Sequence, residues 1–519
     1  MDTSQRQITR AAATVMAAFL LSNLTGLVRQ ILIAQAFGTN RALDAFTVAQ
    51  RFPGILFDLV AGGALASAFV PAFTTLLTRD QRASAWRLAS GVLTLAALLL
   101  ALISAVSAGL APSVIRWIGA GLPPAEQALA ADLLRILLLA PTIFGVSGLL
   151  MGILNAHQHF LLPALAPSFY WLGMIFGLVV WVPTQGVHGL AWGAVLGAGL
   201  HLAVQLPGLR GLPERRLRLS LDLGNPAVRE VICLMGPRLL GVAAVQLNFV
   251  VNTALASYLA GGASALEYAW RIFTMPQVII AQGIAIAALP AFSTMAARGE
   301  TGAIRASLAD TLRLVLFLTL PATIGLLLLG EPVIALFFQR GRFDAASTAL
   351  VAWALTFYTL GLVSHSVVEI VARAYYALKD TWTPVWVGAS AMGINLGLSL
   401  ALAAGFTQLG WAPHGGLALA NTLATTAEMI VLVVLMRRRL GGLALGRLWP
   451  GVWRAALAAG VMGAGGLAWL AGTAGASPWV IGLGGVAVLG AVFWLTAYAL
   501  GSPDARQLPD LALKRLRRR

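Results

Sequence analysis

The sequence predicts an all-α polytopic membrane protein of about fourteen transmembrane helices: two parallel-repeat six-helix lobes plus two C-terminal helices. Three observations predict it. The 519 residues are 59% hydrophobic and only 10% charged, more apolar surface than a soluble domain can hide. Apolar runs of about 20 residues, the length needed to cross a bilayer, recur along the chain. The first half also repeats in the second at an offset close to 220 residues, as Arg51 against Arg271.

Taken in order, the expected spans are roughly 11–36, 42–77, 88–110, 127–155, 161–183, 187–206, 231–258, 264–296, 306–329, 346–377, 383–405, 414–436, 455–472 and 478–500. The opening "MDTSQRQITRAAATVMAAFLLSNLTGLVRQ" is read as the first span and not as a signal peptide, because its apolar run is too long and continues through Gly26 and Arg29. Several runs exceed the bilayer, so tilts or kinks are expected. With both termini cytoplasmic, the cytoplasmic segments hold 24 of the 35 Lys and Arg, the outer loops hold four (Arg41, Arg116, Arg340, Arg342), and seven lie within spans. That asymmetry sets the orientation. It also accounts for the net charge of +16 without a nucleic-acid partner.

The repeat has four anchors. "AFTVAQR" ending at Arg51 matches "ALEYAWR" ending at Arg271. "VPAFTTLLTR" ending at Arg79 matches "LPAFSTMAAR" ending at Arg298. Pro163 matches Pro384, and "GVHGLAWGAVL" resembles "PHGGLALANTL". An even number of spans separates the copies, so they share one orientation, and lobes of this kind typically enclose a path that opens to alternate sides. The expected division is 1–220 for the N-terminal lobe, 221–440 for the C-terminal lobe and 441–519 for two added spans and a basic tail.

Charges inside spans are costly, about 2.5–3.5 kcal/mol for an arginine at mid-bilayer, so they usually face a cavity or the bundle interior. The seven arginines are Arg29, Arg51, Arg135, Arg238, Arg271, Arg313 and Arg373. Arg135, Arg238 and Arg313 lie near span ends, where snorkelling explains them as well as function does. Asp44, Arg51 and Asp58 are seven residues apart and share one stripe of the second span, with Pro53-Gly54 between the last two. Glu267 and Arg271 are four apart, Glu first, and His365, Glu369 and Arg373 share a face. Both acid–arginine pairs read equally as neutralised pairs holding the bundle together. Arg29 lies on a face with Ser22 and Gly26.

Enzymatic chemistry is not expected. The chain has one cysteine, Cys233, its six histidines lack metal-ligand spacing, and it shows no nucleophile–base set or phosphate loop. A cofactor is not expected either; coupling to sodium, protons or the membrane potential is the default. Asn248, Asn252, Asn395, Asn421 and Glu428 could supply oxygens to sodium, although helix–helix hydrogen bonding explains the asparagines too.

At these residues the sequence resembles the MurJ (MviN) family, lipid II flippases of the MOP exporter superfamily. The stretches that carry the resemblance are "GLVRQILIAQAFGTNRALDAF", "RFPGILFDLVAGGALASAFVPAF", "GILNAHQHFLLPALAP", "MGPRLLGVAAVQLNFVVNT", "QGIAIAALPAFS", "LFFQRGRF" and "ARAYYALKDTWTPV", in order over about 1–440. The resemblance implies a bacterial cytoplasmic-membrane transporter moving an undecaprenyl-pyrophosphate-linked peptidoglycan precursor. Its cationic cavity would use Arg29, Asp44, Arg51 and Arg271, and Arg238, Glu267, Glu369 and Arg373 complete the candidate set. Expected partners are the lipid-linked glycan, membrane lipids, and cell-wall synthesis or division proteins. The chain departs from the family pattern at Asn23, Gln30, Phe57-Asp58, Gly62 and Thr274, where family charges are absent. An exporter of another lipid-linked oligosaccharide is the nearest alternative. A non-transporting scaffold would have no need of buried charge stripes.

Overall fold

A backbone in lipid has no hydrogen-bond partner but itself, so each spanning segment must close its bonds along its own helix. The computed structural model describes residues 3–60, 64–213, 216–222 and 224–506, with side chains except at 3–17, 19, 59–60, 64–68 and 234–245. All regular secondary structure among these residues is helical. It divides into two compact units after Ala263, with Arg340–Phe343 belonging to the first.

The first unit holds α1 (Thr3–Phe37), α2 (Arg41–Val60), α3 (Ala64–Thr78), α4 (Arg82–Gly109), α5 (Ala111–Ile118), α6 (Pro124–Leu137), α7 (Leu139–Ala156), α8 (Leu161–Phe176), α9 (Val182–Gln185), α10 (Val187–Ala203), α11 (Leu206–Leu209) and α12 (Pro226–Ala256). The second comprises α13 (Gly262–Gln277), α14 (Gly283–Ala297), α15 (Thr301–Phe338), α16 (Ala345–Leu360), α17 (Leu362–Ala377), α18 (Trp382–Gln408), α19 (Pro413–Arg439), α20 (Leu445–Gly472) and α21 (Gly485–Ala499). Packing therefore divides the chain later than the repeat does. The α12 helix lies beyond the repeat boundary at 220, yet it packs on α2 and α3 of the first unit. The added helices α20 and α21 pack on α15 in the second.

Among the described residues, eleven helical segments are long and apolar enough to cross a membrane, and the pair α16–α17, bent by 46°, makes a twelfth. The expected count of fourteen is not reached. The two expected spans outside it are 42–77, which carries Asp44, Arg51 and Asp58 and includes 61–63, and 231–258, whose 234–245 side chains are not described. π-helical turns interrupt three of the spans, at Gly177–Trp181, Val278–Gln282 and Val480–Gly484.

Each unit has its own core. Phe69, Phe73, Trp86 and Ile153 centre that of the first, and Phe292, Ile370, Tyr375 and Met436 that of the second. Phe73 and Phe292, which the repeat pairs, are both fully buried. Glycine sets the closest approach in the first unit. Gly173 on α8 faces Gly197 on α10, and Gly177, which follows α8, faces Gly193; a Cβ on Gly177 would lie 2.6 Å from the Gly193 Cα. Small residues at such spacing let two backbones touch and replace the hydrophobic drive that lipid cannot supply.

Ion pairs attach the added helices. Arg313 Nε donates to Asp504 Oδ2 at 3.0 Å beyond α21, its Nη1 donates to Asp310 at 3.0 Å, and Arg447 at the start of α20 reaches the same Asp310 at 3.2 Å. Arg313 is therefore bridged, not merely snorkelling. Asp504 is 5% exposed at the side chain. Asp504→Ala is expected to lower unfolding stability by about 1.5–3 kcal/mol, a charge-assisted hydrogen bond, read as a lower thermal midpoint in detergent. The double variant R313M/D504L should recover most of it. An unchanged midpoint for Asp504→Ala would show the bridge to be idle. At the α17–α18 turn, Asp380 accepts from the Thr383 N–H at 3.0 Å and from its hydroxyl at 2.8 Å, and it pairs with Arg439. These bonds hold its carboxyl below the usual carboxylate range. Any stability they add is present above that range and fades as pH falls through the lowered value.

Candidate functional site

Heptad spacing put Asp44, Arg51 and Asp58 on one stripe of α2, and the structure shows what the stripe meets. Each rung has a partner on α12 or on the loop that leaves it. Gln246 Nε2 donates to Asp58 Oδ2 at 2.6 Å. Arg51 Nε donates to Thr253 Oγ1 at 3.1 Å, and its guanidinium lies 5.5 Å from the Phe249 ring centroid. The Gly261 N–H donates to Asp44 Oδ2 at 2.6 Å. The partners climb as the rungs descend, as two antiparallel helices require. Gln246 and Thr253 are themselves seven apart, and Gly261 follows at eight.

The three rungs differ in exposure. Asp44 is completely buried, and Arg51 and Asp58 are half-buried. Asp44 thus anchors the end of the stripe. Beside it, Arg41 Nη1 donates to the Ser257 carbonyl at 2.8 Å, and the Gly121 N–H donates to the Ser257 hydroxyl oxygen at 2.9 Å. Gly261 sits at φ +76°, and a Cβ there would lie 2.6 Å from the Thr39 carbonyl oxygen. Only glycine lets this loop come close enough to serve Asp44.

Arg29 sits on the face of α1 shared with Ser22 and Gly26, and that face packs on α8. Its guanidinium lies 4.2 Å from the Trp171 ring centroid, Nη2 donates to Gln30 Oε1 at 2.7 Å, and Nη1 approaches Met174 Sδ at 3.7 Å. Gly26 makes room for the indole: a Cβ there would already stand 3.4 Å from Trp171 Nε1. Arg29 is 5% exposed. To meet a bulky anion in this conformation it must lift off Trp171, giving up a cation–π contact of about 0.5–2 kcal/mol.

In the second unit both acid–arginine pairs are formed. Arg271 Nη2 lies 2.7 Å from Glu267 Oε1, and Arg373 Nη2 lies 3.3 Å from Glu369 Oε2, each one helical turn apart. Arg271 is the more open, 40% exposed at the side chain. His365, on the Glu369–Arg373 face, meets Asn421 Oδ1 through Nε2 at 3.1 Å. The asparagines among the candidate sodium ligands have protein partners: Ser399 Oγ donates to Asn395 Oδ1 at 2.9 Å, and Asn252 Nδ2 lies 3.5 Å from Asn248 Oδ1. Among the described residues no cluster of three or more His, Cys, Asp or Glu could hold a metal. The side chain of Arg238 falls outside the described ones, as does Gly62.

Reading by residue type overlooked Gln246, Phe249 and Thr253, because they are uncharged and ordinary in a span. The signal was there in the seven-residue spacing of Gln246 and Thr253, which mirrors that of Arg51 and Asp58. Trp171, the platform for Arg29, carries no sequence signal beyond being aromatic.

The lipid II flippase MurJ family model matches residues 33–483. A lipid II flippase MurJ of Burkholderia cenocepacia is 32% identical over 438 residues, 83% of this chain and 84% of that protein. A probable lipid II flippase MurJ of Rhizobium tropici is 30% identical over 82% of this chain and 80% of its own length. Among solved structures, a lipid II flippase MurJ in an inward closed conformation superposes with a TM-score of 0.78 at 23% identity, covering 95% of this chain and 99% of that one. An inward-facing multidrug resistance MATE family transporter of the MOP superfamily superposes at 0.67 and 15% identity, over 83% of this chain and 98% of its own. The last two likenesses speak for the fold. With its family model matched over most of its length and relatives similar over four fifths of it, the chain belongs to the lipid II flippase MurJ family.

Proposed function

We propose that this chain is a lipid II flippase, a transporter and not an enzyme, residing in a bacterial cytoplasmic membrane. The observation that supports it is the family match over 33–483, which contains the α2 stripe and both acid–arginine pairs. In this reading Arg29 and Arg51 of the first unit and Arg271 of the second serve the pyrophosphate of the cargo. Arginine suits a diphosphate because its planar fork donates two parallel hydrogen bonds and stays charged in a poorly hydrated site. Asp44, bonded to Gly261, and Asp58, bonded to Gln246, keep the emptied site from being over-charged. Transport would draw on an ion gradient or the membrane potential. The test is complementation of a strain depleted of its lipid II flippase. Growth restored by the wild-type chain supports the reading; failure at normal membrane abundance, with rescue of an O-antigen exporter mutant instead, would transfer it to another lipid-linked glycan.

Both termini are proposed to be cytoplasmic, from the asymmetry of Lys and Arg. The check is labelling of single cysteines in a Cys233→Ser background with an impermeant thiol reagent on intact cells. Cysteines replacing the exposed residues Thr184, Tyr258 and Ser477 should react, and those replacing the exposed Ala83 and Gly446 should not. The opposite pattern inverts the orientation.

A further inference from the structure

The first unit contains an aromatic cavity beside the α2 stripe. Its volume is about 310 Å³, at the lower end of the range for small-ligand pockets. Phe46, Phe57, Phe144, Tyr170 and Trp171 wall it, and among the described residues no Asp, Glu, Lys or Arg lines it. The space exists because small and ring-closed residues meet there. Gly54 contributes no side chain, and Ala140 and Ala194 contribute only methyl groups. A Cβ on Gly54 would touch nothing within 4 Å.

One polar device is built into this wall. Gln205 Nε2 donates to Ser147 Oγ at 2.6 Å, and Ser147 Oγ lies 2.7 Å from His201 Nδ1. With its oxygen accepting from Gln205, the serine directs its own proton to the nearer acceptor, Nδ1. With the serine donating to Nδ1, the imidazole carries its own proton on Nε2. The His201 ring, 7% exposed, lines the cavity together with the Gln50 amide. A buried three-residue chain that orients one donor in an aromatic chamber is costly to keep for packing alone.

We propose that this cavity is a binding site for an uncharged, membrane-dissolved amphiphile of the prenyl-alcohol type, its apolar chain among the aromatic rings and its oxygen accepting from His201 Nε2. The Trp171 indole is shared: the cavity lies against it, and Arg29 rests on it at 4.2 Å. An occupant therefore touches the residue that holds a proposed cargo-binding arginine.

The test uses the purified full chain in detergent and a diazirine-bearing farnesol as probe, with crosslinked peptides mapped by mass spectrometry. Saturable labelling within 46–57, 140–144 and 167–171 is expected. Gly54→Leu starts a side chain in open space on the cavity wall and favours helix, so it should stay folded and lose labelling by at least about tenfold. His201→Phe keeps the ring and removes the donor, and should weaken labelling about three- to tenfold. Excess unlabelled farnesol should displace the probe. Full labelling of folded Gly54→Leu would overturn the proposal. So would equal labelling by a probe lacking the hydroxyl, or displacement by lipid II at the concentration that suffices for farnesol.

Discussion

Arg51→Ala is expected to reduce lipid II translocation by one to two orders of magnitude while the protein stays at normal abundance in the membrane. The size follows from the loss of one charge-assisted hydrogen bond to an anion, about 1.5–3 kcal/mol. Undisturbed abundance follows from the structure. After removal of Arg51, the Thr253 hydroxyl still donates to its own Phe249 carbonyl at 2.8 Å. Asp58 keeps Gln246 and Asp44 keeps Gly261. Arg51→Lys should rescue partly, retaining the charge and losing the fork. Arg51→Glu should abolish transport, since it sets a third acid on a stripe that already carries Asp44 and Asp58. The measurement is a flipping or complementation assay with membrane abundance beside it. Wild-type transport by Arg51→Ala would remove Arg51 from the mechanism. Disappearance of the protein would make the arginine a structural rung.

Gly197→Leu is expected to be the most damaging single change to folding. Gly173 on α8 and Gly197 on α10 meet backbone to backbone, and a Cβ on Gly197 would collide with the Tyr170 carbonyl and lie 2.8 Å from its ring. Two helices must separate along their length to admit a leucine, so the loss should exceed the usual 1–3 kcal/mol of overpacking. Gly199 gives the control: it lies on the same helix, and a Cβ there meets nothing within 4 Å. Gly199→Leu should leave yield and thermal midpoint unchanged, whereas Gly197→Leu should forfeit most monodisperse protein on detergent extraction. Equal behaviour of the two would show that the glycine contact carries no stability.

The helices and the charge stripe were legible in the sequence for a simple reason: lipid tolerates few alternatives. A long apolar run must be helical, and residues seven apart on it must share a face. Partner choice was less legible. Arg313 looked like a snorkelling residue near a span end until Asp504, 191 residues away, proved to be its partner. Arg29 looked like a cavity charge, and the structure packs it on Trp171. In both cases the deciding group lies far along the chain, where periodicity within one helix has no reach. The division into units eluded the repeat for the same reason. Duplication concerns which residues are equivalent, but packing fixes which ones touch, and α12, beyond the expected boundary at 220, touches α2 and α3.

The ladder between α2 and α12 also imposes an order on synthesis. Arg51 leaves the ribosome 202 residues before Thr253. At translation rates of about 5–20 residues per second, it waits roughly 10–40 s for its rung. During that interval a helix bearing two acids and an arginine is without the surface that will receive it. The insertion machinery, or water and lipid headgroups around it, must shelter the stripe until α12 arrives. A chain that ends at residue 220 would still lack α12, the helix that brings Gln246 and Thr253 to the stripe.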